Sequence, residues 1–222
     1  MDLVNARAGI APTYWQRQQF PDEYRHKIEV IHDGVDTEFF SPDPQGLHIP
    51  RLGLDLRGKT QVVTYVATGM EPMRGFPEFM KAVALLQGKF PQCEVVVVGE
   101  DRTEYSNPLA SGKTYRQLML ECFSFDLSRL HFTGRLSLEE YRQVLRASAV
   151  HVYLTFPFIL SWSLLEAMAC GCVLVGSATP PVQEVLADSE NGLLVDFFDV
   201  PALADKIADV LENQPHYAHL RE

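Results

Sequence analysis

Residues 61–86 read QVVTYVATGMEPMRGFPEFMKAVALL, and three features in that order decide the fold. Gln61 to Val66 is a short, nearly continuous apolar run rather than an alternating one, which suits a strand covered on both faces. Ala67 to Gly75 is a loop carrying two glycines and a proline. Phe76, Phe79, Met80, Val83 and Leu86 then fall on one stripe at helical spacing, with Pro77 near the first turn. The segment therefore predicts a buried strand, a loop and an amphipathic helix.

The same unit recurs outward in both directions. Comparable runs stand at Ile28 to His32, Glu94 to Val98, Leu130 to Phe132, Val150 to Leu154, Val173 to Val175 and Gly192 to Val195. Helical stripes lie between them at Leu138, Tyr141 and Leu145, and at Leu203, Ile207, Val210 and Leu211. Alternating strand and helix imply right-handed crossovers and an α/β fold: a doubly wound, mainly parallel, Rossmann-like sheet with helices on both faces. Ligands of such sheets sit beyond the carboxyl ends of the strands, so the strand-to-helix loops should carry function. Two stretches fall outside the pattern. Pro42, Pro44, Gly46 and Pro50 suggest a linker or edge, and Gln214 to Glu222 read as a trailing end.

Composition narrows the function classes. With 222 residues, 46% of them hydrophobic and 22% charged, the chain suits one large globular domain. Nineteen Lys and Arg against twenty-nine Asp and Glu give a net charge of −10, so no diffuse positive field draws nucleic acid or an anionic membrane. Any polyanionic ligand must be held by local groups. Cys93, Cys122, Cys170 and Cys172 are sparse, and the first residues lack the zones of a signal peptide, so a reducing cytoplasm is expected. Ala147 to Leu165 is free of charge, but Ser148, His151, Thr155, Pro157, Ser161 and Ser163 interrupt it; it reads as strand, loop and helix start, not a membrane span.

Three loops could hold an anion. In the first, Gly69 and Gly75 allow close backbone approach, and Arg74 beside a helix start offers charge-assisted donors for phosphate; a solvated arginine on a glycine loop is the plainer alternative. The second, Thr155 to Ser163, enters a helix that contains Glu166. That glutamate could bond sugar hydroxyls, or Ser163-x-x-Glu166 could be a capping box closing on its own backbone, which position alone favours. The third contains Asn107-x-x-x-x-Gly112-Lys113-Thr114, close to a P-loop but with asparagine for the first glycine and no strand feeding it. Cys170-x-Cys172 lacks a second ligand pair and reads as buried small side chains rather than a zinc site. His32, His131 and His151 border or occupy strands, where satisfied core or edge histidines are the rule, and the His216 and His219 pair reads as solvated.

Taken together, Ile31-His32-Asp33-Gly34-Val35-Asp36, Gly69 to Gly75, and Ser163-Leu164-Leu165-Glu166-Ala167-Met168-Ala169-Cys170-Gly171 resemble the carboxyl-terminal, nucleotide-sugar-binding domain of GT-B glycosyltransferases of the GT4 (group 1) family. The resemblance runs from about Trp15 to Leu211. It implies a lead-in over residues 1–27, a donor domain over 28–213 and a trailing end over 214–222. By the same resemblance, Arg74 contacts the diphosphate and Glu166 the nucleotide ribose, the two residues assigned to catalysis. Gly134 and Arg135 lie against the nucleobase, and Ser161, Trp162, Ser163 and Leu164 cradle diphosphate and sugar. The implied donor is a nucleoside-diphosphate sugar, with retention at the anomeric carbon and no metal or other cofactor required.

The implied acceptor is a glycan or a lipid-linked molecule. The implied partner is an amino-terminal domain of the same enzyme, and any contact with the inner membrane face would run through that part. Two departures stand out. Phe158 occupies the position eight before Glu166, where the family often has a second glutamate, and no arginine stands at Thr68 or Gly69. Two other readings therefore stay open: a non-catalytic nucleotide-binding module, and a GT-B-type nucleotide-sugar epimerase, for which no acid/base pair is evident.

Overall fold

The computed structural model describes residues 3–43 and 47–221, so Pro44 and Gly46 of the expected linker lie outside the described residues. In chain order the elements are β1 (Gly9–Ala11), α1 (Tyr14–Gln18), α2 (Asp22–Arg25), β2 (Ile28–Val30), β3 (His48–Ile49), β4 (Leu54–Asp55), β5 (Val62–Gly69), α3 (Phe76–Lys89), β6 (Glu94–Glu100), α4 (Tyr115–Cys122), β7 (Leu130–Gly134), α5 (Leu138–Arg146), β8 (Val150–Tyr153), α6 (Trp162–Ala169), β9 (Leu174–Ser177), α7 (Pro180–Gln183), β10 (Leu193–Val195) and α8 (Val200–Glu212).

Among the described residues the main sheet has six strands in the order β10-β9-β8-β5-β6-β7, with every neighbouring pair parallel. The chain winds outward from β5 to β7, then returns to the other side of β5 and winds outward again through β8, β9 and β10. That reversal beside β5 is where doubly wound sheets leave a crevice.

The apolar runs are continuous because both sheet faces are covered. Val63, Tyr65, Val95, Val97, Val150 and Val152 belong to one core with Phe76, Phe79, Val83 and Leu86 of α3 and Leu203, Ile207 and Val210 of α8. Val62, Val96 and Val98 belong to another, built from Val144 and from Leu47, Ile49, Leu54 and Leu56 around the β3–β4 hairpin. Full burial of each large α3 side chain is worth roughly 1.5–3 kcal/mol, so this helix anchors the loop that precedes it.

Three local features differ from the sequence reading. Leu138, placed on the α5 stripe, is 58% exposed, and the buried positions of that helix are Val144 and Leu145. Leu138 is the first helical residue after the Ser137 cap, ahead of the turn that faces the core. Before β2, the chain forms β1 parallel to it, an element of three residues too short to show a period. Residues 214–221 pack back rather than trail: Leu220 is buried, and Arg221 donates to the carbonyls of Gly171 at 3.0 Å and Ala149 at 3.1 Å.

A polar cluster crosses the buried seam between β5 and β8. Thr64 Oγ1 lies 2.8 Å from His151 Nδ1 and 2.7 Å from Ser148 Oγ. His151 Nε2 has no partner, and burial pushes the imidazole down to about 3. His151 is thus a core histidine held neutral, as its strand position suggests.

Candidate functional site

A cleft of about 550 Å³ opens at the carboxyl ends of β5 and β6. Val66, Ala67 and Thr68 of β5 and Val98, Gly99 and Glu100 of β6 line its base. Arg135 and Leu136, with Leu138 and Tyr141 of α5, contribute one flank, and Ser161 with Trp162, Ser163 and Glu166 of α6 contribute another. Arg102 also lines it, but Glu100 and Glu104 already pair with that guanidinium at 2.9 and 2.7 Å.

The glycines let the chain approach itself. A Cβ on Gly99 would stand 2.0 Å from the Ala67 carbonyl oxygen, one on Gly69 would stand 2.6 Å from the Arg102 carbonyl oxygen, and one on Gly75 would stand 2.5 Å from Leu154 Cβ. Gly69 and Gly75 do not line the cleft; they permit the β5–α3 loop to pack against neighbouring loops. Gly75 also needs its φ of +66° to pass from the 3-10 turn Pro72–Arg74 into α3.

Glu166 is not a cap. Helix α6 begins two residues earlier than the capping-box reading requires, at Trp162, and the Ser163 N–H donates to the Ser161 side chain at 3.4 Å. Glu166 instead reaches across to α5, where the Tyr141 hydroxyl donates to Oε2 at 2.6 Å. Partial burial raises the Glu166 carboxyl above its usual range, and the Tyr141 hydrogen bond opposes this by favouring the charged form. Burial, with the Glu166 charge beside it, raises the Tyr141 phenol far above its ordinary value, so Tyr141 remains a donor.

Arg74 sits behind the α6 entry loop. Its Nη1 donates to Thr155 Oγ1 and to the Ile159 carbonyl, both at 3.1 Å. Two residues beyond Ile159, the Ser161 N–H donates to the Tyr153 hydroxyl at 2.7 Å. Burial raises the Tyr153 phenol, and the Arg74 charge lowers it in part. The Arg74 loop and the turn leading to Glu166 are therefore adjacent and directly bonded.

The geometry brings Arg135, Ser161, Trp162, Ser163 and Glu166 together around one cleft. Arg74 and Leu164 do not line it: Arg74 bonds to the back of the α6 entry loop, while the Leu164 side chain is wholly buried and its N–H donates to the Ser161 carbonyl at 3.2 Å. Gly134 ends β7 at φ +65° and sets the turn that delivers Arg135. Tyr141 carries no sequence signal as a site residue, because it looks like one more member of an apolar stripe. The near P-loop is a helix cap, in which Thr114 caps α4 and Lys113 pairs with Glu121 at 2.5 Å. Cys170 and Cys172 are buried, and no group of three or more metal-ligating side chains occurs among the described residues. Nor is any helix among them long and apolar enough to cross a membrane.

The fold and cleft define a doubly wound domain of the kind that forms one half of GT-B enzymes. The family model for glycosyl transferases group 1 matches residues 53–222, more than half of the chain, and one for the glycosyl transferase family 4 group matches residues 1–40. The chain belongs to the group 1 glycosyltransferase family. It is 28% identical over 191 residues to the D-inositol 3-phosphate glycosyltransferase of Mycolicibacterium smegmatis, covering 86% of this chain and 41% of that one. A Corynebacterium efficiens protein of the same name is 27% identical, covering 95% of this chain and 48% of that one. The chain thus spans less than half the length of these curated relatives.

Anabaena HepE, solved in complex with UDP-glucose, superposes with a TM-score of 0.80 at 19% identity, over 97% of this chain and 57% of that one. The carboxyl-terminal domain of the group 1 protein LpcC from Francisella tularensis superposes at 0.67 with 20% identity, over 85% and 93%. These likenesses establish the GT-B half as the fold.

Proposed function

We propose that this chain is the donor-binding half of a retaining glycosyltransferase that passes a sugar from a nucleoside diphosphate to a glycan or lipid-linked acceptor. The observation that carries the reading is Glu166: held by Tyr141, it lines a cleft at the carboxyl ends of the sheet beside Arg135 and the start of α6. In this reading Glu166 accepts the ribose hydroxyls, the Arg135 loop meets the base, and Arg74 with the α6 entry stabilises charge as it gathers on the leaving diphosphate. These residues carry the leaving-group charge without a metal ion.

The UDP-glucose bound by Anabaena HepE, and the glycosyltransferase names of the curated relatives, support this assignment. Acceptor recognition falls to an amino-terminal domain, in keeping with the share of each relative that this chain covers. In this reading the transfer takes place in the cytoplasm, at the inner membrane face where the acceptor is lipid-linked.

Calorimetric titration of the chain with UDP, GDP and ADP tests the reading. One of the three is expected to bind, and Glu166→Ala to weaken it roughly 10-fold or more, the scale of hydrogen bonds to a charged group. Failure of all three to bind would overturn it.

A further inference from the structure

Arg74 is a cation whose neighbours do not neutralise it. No ion pair involves it among the described residues, whereas Arg102, Arg51 and Arg129 each face a carboxylate within 3 Å. Its guanidinium carbon instead lies 5.6 Å from the centroid of the Tyr105 ring and 5.5 Å from that of Phe158. The two centroids are 5.0 Å apart with the rings tilted by 57°. The three centres form a nearly equilateral triangle, so the cation rests in the notch between two rings.

Both rings are fixed from below. Phe158 belongs to the loop whose Thr155 hydroxyl and Ile159 carbonyl receive the Nη1 bonds. Tyr105 belongs to a turn held by the wholly buried Glu71, whose Oε2 accepts the N–H groups of Glu104, Tyr105 and Ser106 at 2.9, 2.8 and 2.8 Å. The Ser106 hydroxyl in turn accepts the Met73 N–H at 3.1 Å, next to Arg74 itself.

We propose that Tyr105 and Phe158 are positioning residues, forming an aromatic seat that orients the Arg74 guanidinium toward a diphosphate while leaving its positive charge unspent. Aromatic faces attract a cation through their quadrupole but carry no net charge to cancel it. A carboxylate at position 158 would hold the same guanidinium and neutralise it. Phe158 is thus a working part of the site. The inference rests on the nucleotide reading above and adds two residues to it.

The test compares a nucleoside diphosphate with its own nucleoside, because that affinity ratio isolates the phosphate contribution. Calorimetry uses whichever of UDP, GDP and ADP binds best, with uridine, guanosine or adenosine to match. Phe158→Leu and Tyr105→Leu are each expected to lower the ratio about three- to tenfold, the scale of losing one cation–π contact, with nucleoside affinity unchanged. Phe158→Tyr and Tyr105→Phe, which keep the rings, should keep the ratio, and Phe158→Glu should lower it at least as far as Phe158→Leu.

The seat is refuted if the leucine variants retain the ratio that Arg74→Ala destroys, or if the ring-preserving variants lose as much as the leucine ones. An unchanged ratio in Arg74→Ala also refutes it, while leaving the cleft as a nucleotide site. Absence of all nucleotide and nucleoside binding to the unaltered chain would instead remove the underlying function.

Discussion

Gly99→Ala is expected to cost about 3 kcal/mol or more of unfolding stability and to abolish nucleotide binding together with it. The added Cβ would lie 2.0 Å from the Ala67 carbonyl oxygen, a backbone atom that cannot swing aside as a side-chain tip could. Gly99 also holds a φ of +141°, a conformation that an alanine adopts only under strain. Relief would require the ends of β5 and β6 to part, and those ends line the base of the cleft. Urea denaturation measures the loss. Gly88→Ala is the control: that exposed helical glycine has open space beside it, and alanine there should stabilise by roughly 0.5 kcal/mol. Equal urea midpoints for Gly99→Ala and the unaltered chain would contradict the assignment.

A second large effect is expected in acid. The His151 ring is buried without a charged neighbour and titrates at about 3 in the fold, against 6.5 when solvated. Because the folded value is depressed for a base, the unfolded chain takes up the proton first. Stability from the neutral ring is therefore complete above pH 6.5 and falls by about 1.4 kcal/mol per unit below it, until the folded form also protonates near pH 3. Between pH 6.5 and 5 the expected loss is about 2 kcal/mol. Unfolding free energies over that window should slope more steeply for the native chain than for His151→Asn, which has nothing to titrate. Superimposable slopes would show that the buried ring does not govern acid stability.

The sequence disclosed the sheet better than it disclosed the site. Strands such as β6, whose valines are covered on both faces, announce themselves as unbroken apolar runs, and α3 and α8 present clean stripes. β1, β3 and β4 are two or three residues long and have no period to read. In the site, Ser163 and Glu166 have capping-box spacing, yet Ser161 starts the helix earlier and releases the glutamate toward Tyr141. Spacing within one helix cannot reveal a partner on another. Gly69 and Gly75 read as ligand contacts in the sequence for a related reason, since only the assembled loops show that they make room for Arg102 and Leu154. Arg74 and the α6 entry lie beside each other, while the rings that seat the arginine come from loops 31 and 84 residues after it, in no motif that spacing could show; what joins them is the packing of β5, β6 and β8 side by side.

Trp162 lines the cleft while 58% exposed, and its indole N–H donates to Asp33 Oδ2 at 2.7 Å. The chain has only one other tryptophan, Trp15, whose backbone N–H is bound by Glu184 away from the cleft lining. Indole emission responds to the polarity and hydrogen bonding around the ring, so the protein carries its own optical gauge of occupancy, readable in dilute solution without a label.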